Sequence, residues 1–122
     1  MSSYYSNAAL YVRDARDSDR YKVSGRAELV RDGSLHAAGT MIDISRGGAA
    51  FRAYTPLQTG AKYLFVAETT TPAVCKFGPL PCVVTRSFSN HSYGIQFEID
   101  YRQSAKLEDL LIKMFAPKKT PY

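Results

Sequence analysis

The sequence has no run of 18 or more apolar residues, so no membrane-spanning helix is expected from it. Its opening stretch, MSSYYSNAALYVRD, holds neither a basic n-region nor a long apolar segment. It does not read as a secretory leader, and a cytoplasmic protein is the expectation. Cysteine is scarce: only Cys75 and Cys82 occur, in CKFGPLPC. That spacing is neither a zinc pattern nor a redox C-x-x-C, and in a cytosolic chain both are expected as reduced thiols on or near a hairpin. The two histidines, His36 and His91, each stand alone in polar contexts, which argues against a metal centre. Walker loop, nucleophile elbow and Ser–His–Asp context are all missing, so the reading is of a protein that is not an enzyme and needs no cofactor.

What is present fits one globular domain. The chain has 122 residues, 45% hydrophobic and 22% charged. That length can bury one core without disulfides. A net charge of +5 favours anionic partners such as phosphates, nucleic acid or a membrane surface, without choosing among them.

The pattern changes three times along the chain. Residues 1–20 are polar and aperiodic, as in a flexible arm. From Tyr21 onward, short runs rich in β-branched and aromatic residues alternate with turn signals such as RDG, RGG and SNHSYG. The cleanest is YGIQFEID, with Ile95, Phe97 and Ile99 on one face and Gln96, Glu98 and Asp100 on the other. The stretch AVCKF-GPLP-CVVTRSF predicts two short strands or one broken strand. Six or so short strands argue for a small antiparallel barrel or sandwich. In SAKLEDLLIKMF the period becomes helical: Leu107, Leu110, Leu111 and Met114 form one stripe. Ser104 is the predicted N-cap and Pro117 the stop, and the helix is expected to lie across one end of the β domain. The division is therefore an arm at 1–20, a β domain with its helix at 21–116, and a loose tail at 117–122.

Two clusters carry chemistry. In DISRGG, Asp43 and Ser45 are two residues apart at the end of a strand, and Gly47 and Gly48 remove side-chain bulk beside them. A carboxylate there can accept N–H bonds from a guanine edge, and a hydroxyl can bond a base or a phosphate. The bland alternative is a turn whose Asp and Ser satisfy local backbone. In the arm, RDARDSDR contains Arg16 and Arg20, spaced R-x-x-x-R. Extended, that spacing is roughly 13 Å, enough for two guanidinium groups to grip different parts of one ligand. The interleaved Asp17 and Asp19 are expected to screen these arginines in the free protein.

Together, RDSDR followed by DISRGG resembles the PilZ domain family. LQTGAKYLFV, the Gly-hydrophobic-x-Phe pattern of Gly94 to Phe97, and the final helix extend the resemblance over roughly residues 13–115. It implies a mainly β fold, a six-stranded antiparallel β-barrel with a C-terminal helix. It also implies binding of the bacterial second messenger cyclic di-GMP. Carried over residue by residue, Arg16 and Arg20 would take phosphate oxygens and a guanine edge. Asp43 and Ser45 would hold the other guanine, and Gly48 would leave room for it. The expected role is a single-domain receptor that relays the signal to an unidentified effector protein. Two other readings remain: a PilZ-like protein-interaction module, or a small basic barrel binding single-stranded nucleic acid on Phe51, Tyr54, Tyr63 and Phe65.

Overall fold

The computed structural model describes residues 19–115. Its strands are β1 (Tyr21–Lys22), β2 (Ser24–Arg31), β3 (Ser34–Ile44), β4 (Gly48–Ala53), β5 (Lys62–Thr71), β6 (Cys75–Ser87) and β7 (Ser92–Phe97), followed by helix α1 (Tyr101–Phe115). All strand pairings are antiparallel. The order β3-β2-β5-β6-β7-β4 returns to β3 through a β3–β4 pairing, which closes a six-stranded barrel. The short β1 continues the line of β2 along the far part of β3, with Tyr21 opposite Ile44 and Lys22 opposite Asp43. Of the barrel or sandwich that the strand pattern left open, the chain forms the barrel.

The turn signals act as their chemistry dictates. Asp32 and Gly33, both at positive φ, make the two-residue hairpin between β2 and β3. Of the two readings of the proline-rich stretch, the single strand holds: β6 is one strand of 13 residues, interrupted by a bulge in its pairing with β5. Gly78, at φ 96°, takes up the extra length where Phe65 pairs with Leu80 and Ala67 with Phe77. A side chain on Gly78 would collide with the Phe65 carbonyl oxygen. The bulge absorbs Pro79 without ending the strand.

Inward-facing residues of all six barrel strands make one core with Leu107 and Leu111 of α1. Phe65 sits at its centre, with ring centroids 6.4 Å from Phe51 and 5.4 Å from Phe97. Phe51 and Phe65 are wholly buried and Tyr63 nearly so, whereas Tyr54 is exposed. These four aromatics therefore form no base-stacking platform: three of them hold the barrel together.

The helix begins earlier than Ser104. Asp100 caps it, accepting the Gln103 N–H at 2.8 Å, while Gln103 Oε1 accepts the Asp100 N–H at 3.2 Å. This reciprocal capping box satisfies two groups at once, so it prevails over Ser104 as the start. Ser104 is instead buried, its hydroxyl 3.5 Å from the Arg46 carbonyl. The buried face runs through Ser104, Leu107 and Leu111, with Phe115 against Tyr21 at 4.8 Å. Leu110 lies about 100° round the helix from Leu111. It is 36% exposed, so it does not belong to the buried stripe. The predicted stop, Pro117, lies outside the described residues.

Leu111→Ala should cost ~2–4 kcal/mol of unfolding free energy, and Leu110→Ala under about 1 kcal/mol, both read by urea denaturation. The thiols supply a second check. Burial pushes the Cys82 thiol up to about 12, while Cys75 is half-buried and free. A thiol reagent at pH 8 should therefore modify Cys75 in the native protein and reach Cys82 only after unfolding.

Candidate functional site

The DISRGG segment spans the end of β3, a tight turn and the start of β4. Alternation counted from the buried Met41 would point Ile42 outward and Asp43 into the core. A bulge intervenes: Met41 pairs with Phe51, but Asp43 pairs with Ala50. The extra residue lets Asp43 stand on the outer face beside Ile42, with Ile44 restored to the core. Asp43 reaches the surface because the strand is irregular there.

Ser45 follows the last residue of β3 and turns inward, at 4% exposure. Its N–H donates to the Gly48 carbonyl at 2.8 Å. Its hydroxyl accepts the Gly47 N–H at 3.2 Å and lies 3.4 Å from that same carbonyl. Ser45 and Asp43 thus do different things in this structure: the hydroxyl staples the turn, and the carboxylate faces out. A Cβ on Gly48 would strike the Ile95 carbonyl oxygen, so the glycine lets β4 approach β7 closely. The Phe97 N–H bonds the Gly47 carbonyl at 2.8 Å and ties the turn to β7.

Arg20 arrives at Asp43 through strand pairing. Lys22 lies opposite Asp43, so the chain two residues upstream passes the same carboxylate. Arg20 Nη1 donates to Asp43 Oδ1 at 3.2 Å, with the two side chains 58% and 20% exposed. A pair this open contributes under ~1 kcal/mol, because water screens it and ordering two side chains costs entropy. Both groups remain available to a stronger partner. Among the described residues, the carboxylate that meets Arg20 is thus Asp43, from across the sheet. Arg16 lies outside the described residues, as does Asp17.

Arg20 and Asp43 border a recess of about 900 Å³ over the outer faces of β3, β4, β7 and β6. Gly48, Ala50 and Gly94 lie along its floor, and Arg86 and Phe88 stand across from the Arg20–Asp43 pair. Two guanidinium groups, one carboxylate and one aromatic ring thus surround a surface with little side-chain bulk. That set suits a ligand combining anionic groups with planar hydrogen-bonding rings. Among the described residues, no cluster of His, Cys, Asp and Glu could hold a metal ion. Sequence reasoning missed Arg86 and Phe88. The signal was the run TRSF, an arginine and an aromatic after the apolar CVV, but a bulge between Val84 and Arg86 hides which of its residues face out.

The sequence profile of the PilZ domain matches residues 14–113. Among solved structures, the PilZ domain of CeSA from a cellulose-synthesizing bacterium is 22% identical, with a TM-score of 0.55, over 80% of this chain and 98% of that one. The inhibitor of motility MotI/DgrA of Bacillus subtilis is 17% identical, with a TM-score of 0.61, over 86% of this chain and 53% of that one. A Legionella protein of uncharacterized function is 18% identical, with a TM-score of 0.50, over 79% of this chain and 92% of that one. At these identities the likeness is one of fold. No curated protein matches the chain.

Because Gly48 is held by backbone contact, Gly48→Ala should destabilise the barrel by about 1–3 kcal/mol, as overpacking does. Asp43→Asn should change stability by under about 1 kcal/mol, because the pair it disturbs is exposed. Thermal and urea unfolding of the two variants check both.

Proposed function

The chain belongs to the PilZ domain family, and from that premise we propose that it binds cyclic di-GMP and passes the signal to an effector protein. The observation that supports this reading is the exposed Arg20–Asp43 pair at the border of a recess with small residues on its floor. The messenger carries two guanines and two phosphates. Asp43 can accept the paired N–H groups of a guanine edge, and Arg20 can take a phosphate or the O6/N7 edge. Each gains a charge-assisted bond in place of a weak ion pair, so their mutual release costs little. Arg16, four residues before Arg20, would supply the second grip from the arm. Gly48 keeps the floor low, and Ser45 acts by holding the turn that carries it.

The ligand is bound and not transformed, and no cofactor is needed. Engagement of Arg16 and Arg20 would change the surface an effector meets. The setting is a bacterial cytoplasm, where this messenger is made and degraded. Single-stranded nucleic acid is the weaker alternative, since three of the four aromatics that would stack bases are in the core and Tyr54 alone is exposed.

Calorimetric titration tests the reading. The parent should bind cyclic di-GMP in the micromolar range or tighter. Arg16→Ala, Arg20→Ala and Asp43→Ala should each weaken binding by about 2 kcal/mol, roughly thirtyfold. Ser45→Ala should lower thermal stability as well as affinity, because the turn loses its staple. A parent that ignores the dinucleotide, or an Arg20→Ala protein with full affinity, would sink the proposal.

A further inference from the structure

The wall of the recess opposite Arg20 and Asp43 is built from β6, β7 and the turn between them. We infer that this wall is a second half of the ligand site, in which Phe88 stacks on a purine ring, Gly94 gives that ring clearance, and Arg86 supplies a second cation. The inference rests on the dinucleotide reading above and adds to it the residues that select a purine.

The placement comes from register. Asp43 pairs with Ala50, Ala50 with Gly94, and Gly94 with Arg86, so the four form one row across β3, β4, β7 and β6. Three strand spacings separate the charged ends, roughly 14 Å. The interior of the row is only a methyl group and a hydrogen. Arg86 takes its outward position through a bulge: Val84 pairs with Ile95, but Arg86, two residues on, pairs with Gly94, the next residue back on β7. Bulges are commonly found where a strand must re-aim a side chain. Here one lies on each side of the recess, beside Asp43 and beside Arg86.

Gly94 differs from Gly48 in a way that bears on ligand room. No backbone atom stands where its Cβ would be: the nearest atoms are Arg86 Cβ and Phe88 Cε2, both at 3.6 Å, an ordinary contact. The fold therefore accepts a small side chain at 94, and its lack leaves only a hydrogen on the floor beside the Arg86 stem and the edge of the Phe88 ring. Phe88 is 48% exposed, although its backbone is fixed by an N–H bond to the Ser92 carbonyl at 2.8 Å. A large aromatic held at the border of a cationic recess is a stacking surface, and base–aromatic stacking is worth ~1–3 kcal/mol.

The chain contains no tryptophan, so Phe88→Trp installs a sole reporter inside the recess. Titrating that variant with cyclic di-GMP should quench its emission saturably, at the concentrations where calorimetry shows binding. Phe88→Ala and Arg86→Ala should each weaken binding about tenfold or more. Gly94→Leu should weaken it further, and all three should melt within a few degrees of the parent. Three results would overturn the inference. One is unchanged tryptophan emission at saturating ligand. Another is parental affinity in Phe88→Ala and Gly94→Leu while Arg20→Ala is impaired, which would leave the dinucleotide reading standing. The third is a loss of melting temperature in Phe88→Ala without loss of affinity, which would make the ring a cover for the strand beneath it. A parent that binds no cyclic di-GMP would overturn both readings together.

Discussion

The pairing of β3 with β4 closes the sheet on itself, and the rest of the structure depends on that closure. An open six-stranded sheet would leave two unpaired edges and a core exposed at its sides. Closure brings β4 between β3 and β7, so the DISRGG turn lies over the join. The join is tight because Gly48 has no Cβ to meet the Ile95 carbonyl, and because Ser45 spends its hydroxyl on the turn. A residue type that looks suited to a ligand is here first a condition of barrel closure.

The same closure sets where charge can appear. Strict alternation would send Asp43 inward, where an unpaired carboxylate is costly. One bulge on β3 and another on β6 break the alternation and turn Asp43 and Arg86 outward on opposite sides of the small-residue floor. Arg20 is delivered by ordinary pairing, since β1 extends β2 along β3 and ends beside Asp43. The ion pair that results is shallow and exposed. It is well suited to exchange for a ligand and contributes little to holding the fold. Stability comes instead from the core around Phe51, Phe65 and Phe97, whose rings pack at tilted angles, and from the two leucines that α1 adds to it.

The sequence by itself determined the β domain, the final helix and the DISRGG turn. Each rests on local chemistry: alternating apolar residues, glycine and asparagine turns, and a helical leucine period. It grouped Asp43 with Arg20 only through the PilZ resemblance, as an expectation, because residues 23 apart carry no local signal of contact. Tertiary structure decided the rest. The helix start moved from Ser104 to Asp100 because two reciprocal bonds outweigh one hydroxyl. Leu110 left the buried stripe because the docking angle of α1, set against Arg46 and Tyr21, is not written in its period. Proline did not end β6 because Gly78 could bulge. Arg86 and Phe88 came to face Asp43 only when closure and two bulges fixed which residues point outward, and a bulge has no signature in a sequence of alternating residues.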